Sequence, residues 1–569
     1  RAALWAVGLG LFGLLSLFYL VAHHFTAAGI DQSVWFHLQV GLEGAGLGDH
    51  VGLMAATALA LLATLALCLL LYRRLSRPTA RHVSSAFHRG RWPLLGLPLA
   101  LAAWATHPAV RDVVELARLR MNIGNGAQPS EHHRLPQALG WERPRNLVLI
   151  YLESLERSFL DERRFPGLTP NLRRLQAQAV DFSDVRQLEG TGWTIAGMVA
   201  SQCGVPLLTL LHGNDMAGTD RFLSEATCLG DMLKAQGYRM HYMGGASLAF
   251  AGKGRFYDSH GFERVEGLTA LRERIPDPTR LTSWGLYDDD LLRLASQRHA
   301  ELAAGGQPFG LVLLTLDTHP PDGHRSPSCG RQVYGDGRNP MLNAVHCSDR
   351  LAGEWVDQLR AHPAFSDTVI WIASDHLAMP NAAWKLLEKG ARRNLLLALP
   401  PDTPPRRVDK PGSTLDTGAT ILHSLGASEP VMAYGRSLLG DAPTLVQAML
   451  GEAGANAHLA QEVGFLSGLW QHPQLHGGVR LLDDRQVAFG TRTVRFPVLM
   501  LVDEQLKVSR VSFGDALPDT LGSLPARQRF VWLDRCERVH GLAVRPNARP
   551  PRQPERPYCL AVGAMGSAA

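Results

Sequence analysis

The sequence predicts N-terminal transmembrane helices, a doubly wound α/β domain after them, and a small α+β extension at the end. Three observations carry that expectation. Uncharged apolar runs are confined to the residues before 111, strand-like runs alternate with helix-length stretches through the middle of the chain, and short alternating segments follow near the end. The predicted divisions are helices over 1–111, a polar linker over 112–145, the α/β domain over 146–440 and the extension over 441–569. A chain of 569 residues needs more than one core. Its 46% apolar content excludes a disordered protein, and a formal charge of +5 is too small for this length to argue for nucleic acid as a partner.

The apolar runs come first. Ala2 to Ala22 and Gly52 to Tyr72 carry no charge and are each long enough to cross about 30 Å of hydrocarbon as a helix. Trp92 to Val110 is a third, weaker run, with His107 near its end and Arg111 closing it. No small-residue cleavage site follows the first run, so it does not read as a removable signal. The chain opens at Arg1 rather than Met, so a further N-terminal piece, with room for another helix, is expected before it. The loop between the second and third runs holds Arg73, Arg74, Arg77, Arg81, Arg89 and Arg91 and no acid. The loop from His23 to His50 holds Asp31, Glu43 and Asp49 and no Lys or Arg. Positive charge marks the cytoplasmic side, so everything after residue 111 is expected outside the cytoplasm. Cysteine usage agrees. Cys68 lies in the second run, and the six others, Cys203, Cys228, Cys329, Cys347, Cys536 and Cys559, fall in the external part, an even number that suits an oxidising compartment. Proximity in sequence favours 203–228, 329–347 and 536–559, among 15 pairings open to six cysteines.

Asn146-LVLIYL is a continuous apolar run of the kind buried in a parallel sheet, and Tyr238-RMHYM, Gly310-LVLLTL, Thr368-VIWIAS and Asn394-LLLAL are further strand-like runs separated by helix-length stretches. Leu172 to Ala179 has a helical pattern. In such sheets ligands gather beyond the carboxyl ends of the strands. Glu153 follows the first strand, Asp317 and His319 follow Gly310-LVLLTL, and Asp375 and His376 follow Thr368-VIWIAS. Thr191 and Thr194 sit in Glu189-GTGWTIAGMVAS, a glycine-containing loop running into a helix. Carboxylates, an imidazole and a hydroxyl compose a mixed oxygen and nitrogen site for a divalent metal, manganese, zinc or magnesium, and not a thiolate zinc site. A metal would activate an otherwise weak threonine nucleophile. The plain alternative is that Thr194 only caps its helix.

Seven segments in order, Asn146-LVLIYLESLERSF, Leu168-TPNLRRL, Glu189-GTGWTIAGMVASQCGVPL, Trp284-GLYDDDLL, Leu316-DTHPPDG, Ala373-SDHLAM and Ser413-TLDTGATIL, resemble the alkaline-phosphatase/sulfatase superfamily. More closely, residues 1 to about 450 resemble the membrane phosphoglycerol transferases that decorate periplasmic glucans (phosphoglycerol transferase I), relatives of lipoteichoic acid synthase. The resemblance implies a sulfatase-like catalytic domain with Glu153, Thr194, Asp375 and His376 as metal ligands, manganese being the expected ion. It makes Thr194 the nucleophile, with Thr191 as competitor, and His319 the histidine that contacts phosphate or assists the leaving group. Lys253, in Phe250-AGKGRFY, stands where the synthase has a glycerophosphate-binding arginine; it keeps the charge but loses the bidentate fork. His241 and Asp317 are implied as substrate or supporting groups.

The implied reaction moves phosphoglycerol from phosphatidylglycerol, through a Thr194 intermediate, to a periplasmic glucan, with release of diacylglycerol. The implied setting is the inner membrane, crossed several times, with the catalytic domain in the periplasm. Cys203-GVPL lacks the C-x-P-S-R or S-x-P-S-R signature from which sulfatases make formylglycine, which counts against a sulfatase. The rival enzymes are a phosphoethanolamine transferase and a lipid-headgroup phosphodiesterase. The rival outside enzymology is a metal-binding sensor on a degenerate hydrolase fold. In the extension, Ala442 to Leu469 has a helical pattern and Val479 to Val511 alternates like short antiparallel strands.

Overall fold

The two longest apolar runs become helices α1 (Ala2–Thr26) and α3 (Val51–Ser76) of a computed structural model. It describes residues 2–40, 45–76, 92–123, 129–136, 144–208, 222–223, 225–275, 277–470, 479–481, 486–489, 492–495, 497–502, 508–513, 517, 521, 524, 527–541 and 558–564. Among the described residues, Ala2–Thr26 and Leu47–Ser76 are long and apolar enough to cross a membrane, and none of either apolar window is buried inside the protein. Leu4 is 76% exposed and Leu59 68%. Apolar surface on that scale needs lipid, so these are not core helices of a water-soluble domain. Arg73 and Arg74 end α3; Arg77, Arg81, Arg89 and Arg91 of the same loop lie outside the described residues.

The third run departs from the expected single span. Helix α4 (Trp92–Ala105) stops before the end of the run and α5 (Pro108–Ile123) starts after a turn. Fourteen residues rise only about 21 Å, short of the hydrocarbon thickness. The break has a local cause. Pro108 has no N–H to continue a helix and restricts the residue before it, and His107 Nδ1 accepts the Ala109 N–H at 3.2 Å as a cap. Helix α5 then runs into the stretch expected as a linker and packs on α1 and on Val463–Gly468. Beyond it, Ser130 N donates to Glu462 at 3.0 Å and Arg134 N to Ala433 O at 2.9 Å, which ties residues 129–136 to the domain.

Between α1 and α3 the chain forms a short helix, α2 (Gln32–Val40). Asp112 of α5 accepts the Ile30 N–H at 3.0 Å and closes the turn before it. Phe36 of α2 is buried in the catalytic domain's own core.

The α/β domain is built on one eight-stranded sheet. Its strands are β1 (Asn146–Leu152), β2 (Val180–Phe182), β4 (Arg239–Gly244), β5 (Arg264–Glu266), β6 (Phe309–Leu314), β7 (Thr368–Ser374), β8 (Leu396–Leu399) and β9 (Arg406–Val408), in the order β5-β4-β6-β1-β7-β8-β2-β9. The short β3 (Val185–Arg186) pairs outside it with Gly412–Ser413. Strands β5, β4, β6, β1 and β7 are mutually parallel, while β8 runs antiparallel to both of its neighbours. The sheet is therefore a mixed one within the expected doubly wound α/β architecture. The reason lies in the connection: residues 375–395 carry only one four-residue helix, Trp384–Leu387, and a parallel return needs a full crossover. On β1, Leu147, Leu149 and Tyr151 enter one core and Val148, Ile150 and Leu152 the other, which is why the run reads as continuously apolar.

Helices cover both faces: α6 (Pro170–Gln176), α7 (Thr194–Cys203), α8 (Leu229–Ala235), α9 (Lys253–Ser259), α10 (Leu268–Arg272), α11 (Asp288–Ala304) and α12 (Pro340–Ala361). Disulfides join Cys203 to Cys228, Cys329 to Cys347 and Cys536 to Cys559, as proximity favoured. The first links the end of α7 to the cap of α8. Residues Leu445 to Trp470 are helical and belong to the main core, so that core runs past residue 440. Beyond it lie a three-stranded and a four-stranded antiparallel sheet; the second buries Leu499, Phe530 and Trp532.

Candidate active site

The carboxyl ends of β1, β6 and β7 converge because the three strands are adjacent and parallel. Glu153 leaves β1, and Asp375 and His376 leave β7. One ligand atom from each lies within 4.8 Å of the others, and all three residues are buried. His376 Nε2 is 3.4 Å from Glu153 Oε1 and 3.4 Å from Asp375 Oδ2. The backbone holds the set in place: Ser154 N donates to Asp375 Oδ1 at 2.9 Å and Ser154 Oγ to Glu153 Oε1 at 3.0 Å.

The chemistry of this donor set fits a divalent cation. His376 Nδ1 donates to Leu377 O at 2.7 Å, which turns Nε2 toward the two carboxylates. Without a cation, and against the effect of burial, those carboxylates raise the ring's pKa to about 9, and a bound ion would take the place of that proton. His376 Nε2 and Asp375 Oδ2 are buried without a hydrogen-bond partner. Burial and the Glu153 carboxylate together push Asp375 well above the usual carboxylate range. Two buried carboxylates and an imidazole lone pair repel one another unless a cation or a proton lies between them. A third cluster member type, thiolate, is absent here. Elsewhere, Cys228, Asp231 and His260 also come together. There the sulfur is in a disulfide and His260 is satisfied by Asp231 at 2.8 Å and Phe222 O at 2.9 Å.

Thr194 reaches the cluster. Its Oγ1 donates to Glu153 Oε2 at 3.5 Å. The residue is the first of α7, and the cap position is Trp193, so the capping alternative for Thr194 fails. Thr191 is turned away: it is fully buried and its Oγ1 donates to Leu188 O at 2.7 Å. Helix α7 can approach because residue 197 is glycine. A Cβ there would come within 1.9 Å of Asp375 O.

Two basic groups stand nearby. Lys253 begins α9, is buried, and holds its Nζ 4.8 Å from the Phe250 ring centre. Burial pushes its ammonium down to about 8 in spite of the Glu153 and Asp375 carboxylates. His319 lies against Trp284 with ring centres 3.7 Å apart, and its Nδ1 donates to Pro320 O at 2.7 Å. Burial lowers its pKa, with Glu153 acting in the opposite direction.

Two expected residues belong elsewhere. His241 aligns with Leu311, and Leu311 with Val148, which sets it about five residues, or ~16 Å, below the strand end that carries Glu153. It pairs with Glu263 at 2.7 Å, so it is a framework group rather than a substrate group. Asp317 turns into the protein, where its Oδ2 accepts the Ser326 hydroxyl and its N–H donates to Asp288 Oδ1 at 3.2 Å. Strand-end position alone did not distinguish Asp317 from Glu153, because the direction of a side chain at a strand end depends on the loop that follows; His241 lies within β4 and not at its end.

The Asp288–Asp317 pair makes a pH prediction. Burial raises both carboxyls, Asp288 to about 7, and the neighbouring Asp288 charge raises Asp317 further. The folded chain thus holds a proton that the unfolded chain releases, so stability falls as pH rises from about 4 to about 7. Asp317→Asn is expected to raise the unfolding temperature relative to the parent at pH 8 and to lose that advantage toward pH 4. An advantage independent of pH would exclude the shared proton.

Other site residues carried no local signal. Glu156 is buried under Arg392 at 2.9 Å and accepts the Ala378 N–H at 3.0 Å, bracing the β1 loop against the β7 loop. Gln187 Oε1 accepts the Leu377 N–H at 2.7 Å. Both lie in or beside quoted motifs, yet only their long-range partners reveal what they do.

Residues 145–427 match the sulfatase family profile. Residues 1–125 match the profile described as the N-terminal domain of phosphoglycerol transferase I, and residues 482–569 the one described as its middle domain. The chain is 37% identical over 541 residues to phosphoglycerol transferase I of Salmonella paratyphi B, covering 93% of this chain and 68% of the relative. The Salmonella typhimurium protein of the same name gives the same figures. Among solved structures, a protein in the alkaline phosphatase superfamily from Vibrio parahaemolyticus aligns at 19% identity and a TM-score of 0.46, over 70% of this chain and 91% of that one. The lipoteichoic acid synthase LtaP from Listeria monocytogenes aligns at 18% and 0.43, over 56% and 81%.

Proposed function

This chain belongs to the phosphoglycerol transferase I family, and from that premise we propose that it transfers phosphoglycerol from phosphatidylglycerol to a periplasmic glucan with Thr194 as nucleophile. The chain is a transferase of phosphoglycerol on a sulfatase-like fold. Donor, acceptor and residue roles are the proposed part. The observation that carries them is the approach of Thr194 Oγ1 to the Glu153, Asp375 and His376 cluster while Thr191 is locked to a backbone carbonyl.

Glu153, Thr194, Asp375 and His376 would hold the divalent cation, manganese in this reading. When bound, such an ion lowers the pKa of a hydroxyl beside it and offsets charge on a phosphate oxygen. Thr194 Oγ1 forms the bond to phosphorus as the ester bond to diacylglycerol breaks. Lys253 neutralises charge on the phosphate. His319, its Nδ1–H held by Pro320 O, has an Nε2 lone pair that would take the Thr194 hydroxyl proton and return it to the diacylglycerol oxygen as that oxygen leaves. A sugar hydroxyl then displaces Thr194 from phosphorus, so one difficult transfer becomes two easier ones. The proposed setting is the inner membrane, with the catalytic domain in the periplasm, a reading supported by arginine in one loop, acid in the other, and three disulfides.

The test is mass spectrometry of the Thr194 peptide after the full chain in detergent meets manganese and phosphatidylglycerol without glucan. A phosphoglycerol adduct that disappears on adding glucan is the expected result. A phosphoethanolamine adduct with phosphatidylethanolamine, or no adduct with either lipid in metal-loaded protein, would overturn the reading. Separately, chelation is expected to remove transfer, and manganese to restore it more fully than zinc or magnesium. Activity that survives complete metal removal would refute the cation's part.

A further inference from the structure

Described residues of the stretch between α1 and α3 dock beside the candidate active site, although they come from the membrane end of the chain. They make contact at several points. Phe36 lies against Trp193, the residue before Thr194, with ring centres 6.2 Å apart. Gly46 lies on the Trp284 indole, where a Cβ would come within 2.4 Å of the ring, and Asp49 pairs with His324 at 3.1 Å. Gly46 has a φ of +55°, so glycine serves both the turn and the close contact.

His37 is what this docking delivers. Its ring stacks on Phe250 at 5.3 Å with planes 14° apart, and Lys253 Nζ sits over the same Phe250 ring. Phe250 in turn meets the edge of Trp284, which carries His319. His37 Nδ1 is buried and has no hydrogen-bond partner. A buried imidazole nitrogen without a partner costs stability unless something in the pocket satisfies it. Burial, with Lys253 and His319 adding to it, pushes the His37 pKa down to about 4. Near neutral pH the ring therefore offers one N–H and one lone pair, the complement of a hydroxyl.

We infer that His37 hydrogen-bonds the glycerol hydroxyls of the donor headgroup, so that the loop between the membrane helices forms one wall of a subsite selecting a neutral polyol over an ammonium headgroup. The inference rests on phosphatidylglycerol being the donor. The residues joined through Phe250 are aromatic or basic, namely His37, Lys253, Trp284 and His319. None of these four described residues carries negative charge, so they offer a glycerol hydrogen-bond donors and acceptors, whereas an ethanolamine ammonium would face the Lys253 charge. Carrying this residue on the membrane loop couples headgroup recognition to the bilayer that supplies the lipid.

The experiment measures steady-state diacylglycerol release by the full chain in detergent micelles containing phosphatidylglycerol or phosphatidylethanolamine, with glucan present as acceptor, for the parent, His37→Phe and His37→Gln. Phenylalanine keeps the stack on Phe250 and removes the polar contact; glutamine keeps a donor and an acceptor. His37→Phe is expected to raise KM for phosphatidylglycerol about 10-fold with kcat within about 2-fold, and to narrow the preference over phosphatidylethanolamine. His37→Gln is expected to recover most of the loss, and unfolding temperatures to stay within a few degrees of the parent. An unchanged KM in His37→Phe would overturn the inference and leave the donor reading standing, as would a fall in kcat alone. A parent that releases diacylglycerol from neither lipid would overturn the donor reading and this inference with it.

Discussion

Thr194→Ala is expected to lower transfer from phosphatidylglycerol by at least about 10³-fold while the protein stays folded. Thr194 is the first residue of α7 and makes no capping bond, so removing its hydroxyl and methyl costs the helix little. What is lost is the oxygen beside Glu153. The contrasting variant is Thr191→Val. That hydroxyl serves Leu188 O, so its loss costs about 1 kcal/mol of stability and leaves transfer within a few-fold of the parent. Measuring diacylglycerol release and unfolding temperature on both variants separates the roles. An active Thr194→Ala beside an inactive Thr191→Val would reverse the assignment of nucleophile.

Gly197→Ala is expected to disable the site almost as severely, by a different route. In an exposed helix this change stabilises by about 1 kcal/mol, because alanine loses less backbone entropy than glycine. Here the added carbon would lie 1.9 Å from Asp375 O, a backbone atom that cannot step aside alone. Sterics exceed propensity, since overpacking a tight contact costs about 1–3 kcal/mol. Either α7 moves out, carrying Thr194 away from Glu153, or the Asp375 and His376 loop moves. A displacement on the order of 1 Å at a reacting group costs about 10² in rate. The expected result is a ~10²-fold loss of transfer with an unfolding temperature several degrees lower. Unaltered activity would mean that α7 and the β7 loop are not held in this contact.

Much of the framework was legible because its signals are local. Strand-like runs marked β1, β4, β6, β7 and β8, and the residues just after β1 and β7 supplied Glu153, Asp375 and His376. Cysteine proximity foresaw the disulfides because short loops close at the lowest entropic cost. The direction of β8 carried no signal in its own residues, since strand direction is set by the connection and not by the strand. The third apolar run read as one span, because composition averages over the break that Pro108 and His107 make.

What the sequence determined by itself, then, was the two exposed apolar helices, the alternation that builds a sheet with a polar edge, and the residue types gathered at that edge. These follow from hydrophobic periodicity and from strand geometry, which repeat every few residues. The tertiary structure alone decided direction and partnership. It turned Asp317 toward Asp288 and His241 toward Glu263, took Thr191 out of reach, and brought His37 across from residues 200 or more positions earlier than Phe250 and Trp284. Contacts between residues so far apart have no period. They exist because burying Phe36 and closing Gly46 onto Trp284 removes apolar surface from water, and that gain is defined only once the sheet and its loops are in place.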